Sequence, residues 1–220
     1  MLPSPEWKQR RFSKPEQKKW YAGETISIGI GQGYNAYTPI QIAVAMATLA
    51  SGGDMYKPRL VDHIDNLRTG ERRNIDPVLQ QRIPIKPENV DFVKRAMAGV
   101  NKEGTGARSF GNAEYTNGGK TGTAQVIGMK QGEKYDEKKI NERHRDHSLF
   151  IVFAPLESPK IALMVIVENG GFGARAAAPI ARIVLDYYLL GKLPEGAAVD
   201  APATARSKPG AVPEPEEESD

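Results

Sequence analysis

Gly118-Gly119-Lys120-Thr121-Gly122-Thr123-Ala124-Gln125-Val126 sets a cation, two hydroxyls and a residue without a side chain at the start of an apolar stretch. Residues 119–127 are therefore expected as a strand. In such a strand the lysine and threonines can clamp a carboxylate, and Gly122 lets a ligand come close to the backbone. A strand at a sheet edge also offers N–H groups that polarise a carbonyl, each worth about 2.7–4 kcal/mol of transition-state stabilisation. A phosphate-binding loop is excluded, because it requires glycine at position 114, where Glu114 stands, and a helix after the Lys-Thr pair. Taken alone, the tripeptide also reads as a turn entering a strand, so its surroundings have to decide.

Downstream, residues 149–154 and 161–167 are short β-branched runs joined by a Pro-bounded turn over 155–160, the pattern of a hairpin. Residues 177–190 follow as an amphipathic helix. Ile180, Ile183, Val184, Tyr187 and Tyr188 fall on one of its faces, which is expected to cover the sheet. Upstream, residues 40–50 are apolar nearly all round, with Thr38 as N-cap and Pro39 at the first position, so a buried helix is expected there. A second helix begins at Pro87, with Val90, Val93, Met97 and Val100 on a single face and Gly104 closing it. Residues 68–74 hold few hydrophobics and read as a hairpin tip or exposed loop. Apolar and small residues alternate over 24–31, which is expected as a fourth strand.

The fold class is thus α+β: an antiparallel sheet of strands near 24–31, 119–127, 149–154 and 161–167, with helices on both faces. Residues 1–19, basic and Pro-punctuated, are expected as a linker or surface arm, and 20–192 as the folded part. Residues 193–220 read as a disordered Pro/Ala/Glu tail that ends in acidic 213–220.

Hydrophobic residues make up 40% of the 220, enough for a core, and the formal charge of +3 is too small and too scattered to argue for nucleic acid. With no cysteine there is neither a disulfide framework nor a thiolate metal site. Residues 1–19 lack the apolar core of a signal peptide, so export is expected to depend on something upstream. Gly29-Ile30-Gly31-Gln32-Gly33 misses the dinucleotide spacing and reads as glycines that allow a strand and a helix to pack closely. His144 and His147, with Asp146 between them, sit in a charged stretch over 130–147 and read as solvated surface rather than a metal cluster. His63 has no neighbours that suggest a role. Nowhere does the chain contain Ser-x-x-Lys or Ser-x-Asn, and no cofactor or metal is expected.

Four segments, in this order, resemble class B penicillin-binding proteins: Gly29-Ile30-Gly31-Gln32-Gly33, Thr38-Pro39-Ile40-Gln41, Gly104-Thr105-Gly106-Ala107, and the strand from Gly119 through Val126. Within that class the chain is most similar to the penicillin-binding protein 2 group of rod-elongation transpeptidases. The similarity there runs through Trp7-Lys8-Gln9-Arg10-Arg11-Phe12, through residues 140–147, and through Val167-Glu168-Asn169-Gly170-Gly171.

The resemblance implies a serine acyl-transfer enzyme that attacks the D-Ala-D-Ala end of a peptidoglycan stem peptide and passes the acyl group to a neighbouring amine. β-Lactams acylate the same serine. By motif position, Lys120 shapes the electrostatics beside the nucleophile, and Thr121 and Thr123 hold the carboxylate across Gly122. The Thr123 N–H is one oxyanion donor. The family's nucleophile motif lies upstream of this region, so the chain is expected to be the C-terminal part of the transpeptidase domain. Alone it is expected to be inactive, since losing such a serine costs on the order of a millionfold in rate. The implied partners are peptidoglycan stem peptides, β-lactams and the membrane glycosyltransferase RodA, on the periplasmic face of the bacterial inner membrane. A serine β-lactamase-like hydrolase would show the same strand but would not need the helix after Thr38 or the Gly104 element. A non-catalytic module that holds peptidoglycan peptides is the other alternative, and a product of a broken gene a third.

Overall fold

The computed structural model describes residues 3–128, 136 and 140–193. The chain begins with helices α1 (Pro5–Arg11), α2 (Pro15–Lys18), α3 (Ala22–Gly29) and α4 (Pro39–Ala50), then short strands β1 (Asp54–Tyr56), β2 (His63–Asp65), β3 (Arg72–Asn74) and β4 (Leu79–Arg82). Helices α5 (Pro87–Lys102) and α6 (Ala107–Phe110) lead into β5 (Gly118–Ala124); β6 (His147–Ala154), β7 (Ile161–Val167) and α7 (Ala177–Leu190) complete the fold. Beyond Leu193 the expected tail lies outside the described residues, as do 129–135 and 137–139 of the charged stretch.

Strands β5, β6 and β7 form one antiparallel sheet in that order, with Lys120 opposite Ile151 and Phe150 opposite Val165. The period of two along β6 divides its apolar run between two cores. Phe150, Val152 and Ala154 pack with Phe110 against α7, whereas Phe153 and Ile151 meet Met46 and Ala50 of α4 and Met97 of α5. Each large side chain fully buried in this way contributes about 1.5–3 kcal/mol relative to exposure. Helices therefore cover both faces, as expected. The stretch over 68–74 also matches its reading, since β2 and β3 pair antiparallel around an exposed turn.

Helix α4 carries the expected cap: Thr38 Oγ1 accepts from Gln41 N (3.4 Å) while Gln41 Oε1 accepts from Thr38 N (2.9 Å). It is not buried all round. Met46, Thr48 and Ala50 face inward, and Ile40 is 57% exposed.

Three further expectations are corrected. First, helix α7 forms over the expected residues but presents the opposite face to the sheet. Ala177, Ala178, Ala181 and Leu185 are fully buried, while Ile180, Ile183, Val184, Tyr187 and Tyr188 stand exposed. The large partners are on the sheet side, where Phe110 and Phe150 stack at 5.2 Å. Small residues on the helix let it approach them closely, so complementarity of size outweighs the number of carbons buried.

Second, residues 24–31 do not form a strand; α3 occupies most of that span. Glu24 Oε2 accepts from Tyr21 N (2.9 Å) and starts the helix. Gly31 (φ 82°) and Gly33 (φ 67°) turn the chain after it, in left-handed conformations that favour glycine. The β-like alternation loses to capping and to tertiary contacts.

Third, the described part of the expected linker, residues 3–19, contains helices α1 and α2. Ser4 Oγ accepts from Trp7 N (3.1 Å) to cap α1. Lys8 is 2% exposed: its ammonium pairs with Glu24, donates to Lys19 O (2.7 Å), and lies over the rings of Tyr21 and Tyr34. The hydrogen bond from Lys8, aided by that from Tyr21 N, holds the Glu24 carboxyl below the usual carboxylate range. Burial opposes the charge on Lys8, but Glu24 and Tyr34 more than offset it and its pKa is raised.

Candidate active site

Strand β5 lies at an edge of its sheet, so part of its backbone N–H and C=O groups are left without ladder partners. That edge opens onto a cleft of about 750 Å³ lined by Lys120, Thr121, Gly122 and Thr123, the four residues singled out from the sequence. Lys120 is the only charged residue in the lining among the described residues, and Leu149, Ile151 and Met164 give the cleft an apolar floor. The lysine ammonium is exposed and donates to Thr121 O (2.7 Å).

Three other segments converge on this strand. The Gly104-Thr105-Gly106 element arrives from α5, and Thr105 Oγ1 shares a hydrogen bond with Thr121 Oγ1 (2.9 Å). Behind it, Asn101 is buried and donates through Nδ2 to Asn117 Oδ1 (2.7 Å). A Cβ on Gly119 would stand 2.8 Å from that same Nδ2, which is why the strand opens on glycine. Gln32 and Tyr37 enter from the turn after α3, where Asn35 Nδ2 donates to Ile28 O (3.1 Å) and Gln32 O (2.9 Å) and fixes the loop. The glycine-rich segment thus shapes a wall of the cleft instead of packing a strand on a helix.

The third segment is the β7–α7 connection, whose residues 167–171 carried part of the resemblance but whose Phe172, Gly173 and Ala174 sequence reasoning did not place at the site. Phe172, Gly173 and Ala174 line the cleft, and Gly173 lies so close to Gly122 and Leu149 that a Cβ there would overlap the oxygens of both. Ser148 holds this connection in place: fully buried, its Oγ donates to Phe172 O (3.0 Å) and accepts from Ala177 N (3.1 Å). Both hydrogen bonds are structural, so Ser148 is not poised as a nucleophile. The run Asn169-Gly170-Gly171-Phe172-Gly173 was the available signal, a glycine-dense crossing between a strand and a helix.

His147 and Asp146 are built into the same corner. His147 Nδ1 accepts from Asn169 N (2.9 Å), and Asp146, itself buried, accepts from Val126 N (3.3 Å). The solvated-surface reading is corrected for these two residues.

One cation, several hydroxyls and an open strand edge over an apolar floor are suited to an extended peptide with an anionic end. Backbone pairing supplies affinity in such a site, and the charged group fixes the direction. No helix among the described residues is long and apolar enough to cross a membrane.

The family model described as "Penicillin binding protein transpeptidase domain" matches residues 8–186. Among curated relatives, the peptidoglycan D,D-transpeptidase MrdA of Haemophilus influenzae is 40% identical over 197 residues, which is 88% of this chain and 29% of that protein. MrdA of Escherichia coli K12 is 38% identical over 213 residues, 94% of this chain and 32% of that protein. Less than a third of either relative is therefore spanned by this chain. Pseudomonas aeruginosa PBP2, solved in complex with WCK 5153, superposes with a TM-score of 0.65 at 37% identity, over 88% of this chain and 39% of that one. Helicobacter pylori PBP2, solved in complex with MreC, gives a TM-score of 0.64 at 26% identity, over 87% of this chain and 31% of that one.

Proposed function

Because the chain belongs to the penicillin-binding protein transpeptidase domain family, we propose that its cleft receives the D-Ala-D-Ala end of a peptidoglycan stem peptide, as part of a D,D-transpeptidase of wall elongation. The observation that carries this reading is Lys120 with Thr121 and Thr123 on the edge strand β5, the single charged position in the cleft lining among the described residues. A terminal carboxylate there meets a cation and hydroxyls.

In this reading Lys120 sets the positive potential, and Thr121, steadied by Thr105, and Thr123 hold the carboxylate. Gly122 keeps the approach clear, and the Thr123 N–H polarises the scissile carbonyl. The 220 residues contain no Ser-x-x-Lys, so this chain by itself is assigned binding and positioning, not acylation. β-Lactams, which carry a carboxylate beside their amide, occupy the same place. The reading sets the site on the periplasmic face of the bacterial inner membrane. Its partners there are MreC, with which the Helicobacter pylori relative was solved, and the glycosyltransferase RodA.

The test is a titration of the isotope-labelled chain with an acetylated tripeptide ending in D-Ala-D-Ala, beside its L-Ala-L-Ala isomer, followed by amide NMR shifts. Saturable shifts at Thr105 and at 120–123 are expected for the D-isomer only. Equal shifts with both isomers, or none with either on a folded chain, overturn the reading.

A further inference from the structure

We infer that a basic cavity beside the cleft binds a second carboxylate of the peptide substrates, an inference that rests on the reading of the cleft given above. The cavity encloses about 370 Å³, and its lining includes Arg108, Ser109, Ala174, Arg175, Arg182 and Ile183. Three arginines thus border one space whose lining, among the described residues, contains no Asp or Glu. Ala174 also lines the cleft, so the two spaces adjoin across a single small residue. Arg108 follows Thr105, the partner of Thr121, by one short turn of chain.

The three arginines are not equivalent. Arg182 is the framework: its Nε donates to both oxygens of Asp186 (2.7 and 2.8 Å), and its Nη1 donates to Ser109 O (2.9 Å) and Asn112 Oδ1 (2.8 Å). Tyr115 Oη donates to Asp186 (2.9 Å) from the other side and fixes that carboxylate. Asp186 thereby offsets the charge of Arg182, and Arg182 ties α6 to α7 through Ser109 O. Arg108 is exposed and makes no hydrogen bond or ion pair among the described residues, and Arg175 borders the same space from the β7–α7 connection. Arg175 is itself partnered, so the guanidinium without a partner among the described residues is that of Arg108, on a rigid base.

Guanidinium groups so placed select a planar, bidentate anion, and a carboxylate fits. Lys120 and the threonines take the peptide's C-terminal carboxylate, so the second anion is an internal one. It comes either from the peptide whose D-Ala-D-Ala end fills the cleft or from a second peptide delivering the attacking amine.

The experiment uses the 220-residue chain and three probes read by amide NMR: a D-Ala-D-Ala peptide with an internal D-glutamate, the same peptide with D-glutamine, and acetyl-D-glutamate amide, which lacks the D-Ala-D-Ala end. The glutamate peptide is expected to bind about tenfold more tightly than its glutamine twin, the worth of one charge-assisted contact. In Arg108→Ala, and more fully in the Arg108→Ala/Arg175→Ala double variant, that preference disappears while the glutamine peptide binds as before. Acetyl-D-glutamate amide should shift Ser109 and Ile183 if the carboxylate comes from a second peptide, and leave them unmoved if it comes from the first. Equal binding of the two peptides, with no shifts from the small probe, overturns the inference and leaves the reading of the cleft intact. Shifts at Ser109 from the small probe without any peptide binding at 120–123 uphold the basic site and overturn the cleft. Unchanged preference in the double variant, with unaltered circular dichroism, also sinks the inference.

Discussion

Strands β5 and β6 are hydrogen-bonded neighbours, paired residue for residue from Gly118 opposite Phe153 to Ala124 opposite His147, yet they are made of opposite materials. In β6, Phe150, Val152 and Phe153 are wholly buried and join both cores. In β5, glycine occupies Gly118, Gly119 and Gly122, and the remaining side chains are mostly short and polar. The two compositions fit each other. A Cβ on Gly118 would stand 2.8 Å from Phe153, and one on Gly119 would stand 3.0 Å from Phe150, so the volume that β5 gives up is filled by its partner and by α5. Burial energy is concentrated in the central strand, while the edge strand presents a backbone, a cation and hydroxyls to the cleft.

This division of labour can be broken at three places, in decreasing order of effect on stability. Phe150→Ala removes the side chain that stacks on Phe110 beneath α7, and a loss of about 3–5 kcal/mol is expected in the denaturant midpoint. A loss below about 1 kcal/mol would mean that the face repacks and that β6 is not the stabilising strand. Gly119→Ala adds one carbon 2.8 Å from both Asn101 Nδ2 and Ile151 O, and about 1–3 kcal/mol is expected from overpacking. Because Asn101 also lies against Gly106, the Thr105 and Thr121 resonances should move as well; a silent substitution would show that the glycine is dispensable. Lys120→Ala should leave stability within about 0.5 kcal/mol, since the side chain is exposed and donates only to Thr121 O. The same change should weaken D-Ala-D-Ala peptide binding about tenfold by calorimetry. A large stability loss with unchanged binding would reverse the roles assigned to the two strands.

Much of this division could be read from the residues alone. The hairpin of β6 and β7, the helix from Thr38 through its N-cap, the span of α5, where Val90 and Met97 face inward but Val93 of the expected face is exposed, and the span of α7 all rest on local rules: period-two alternation, N-cap chemistry and turn residues. Those rules act between positions close in sequence, so one chain suffices to apply them. The same holds for Lys120-Thr121-Gly122-Thr123, where chemical types in fixed order identified the strand that lines the cleft.

The remainder was decided across long separations in the chain. Hydrophobic burial has no preferred direction, so a helix such as α7, apolar on more than one face, does not declare which face goes inward. Phe110 and Phe150 made the choice by leaving room for alanines and not for Ile180, Ile183 or the tyrosines. Helix α3 replaced a strand because Glu24 serves at once as its cap and as the partner of Lys8, sixteen positions earlier. Thr105, Tyr37 and Gly173 became one cleft only when distant segments met on β5. The sequence by itself determined the elements from Thr38 onward that build the sheet and its covering helices, and which strand lines the cleft; tertiary structure determined α3, which faces meet and which residues surround that strand, because packing selects by shape and distance, and neither is written in local order.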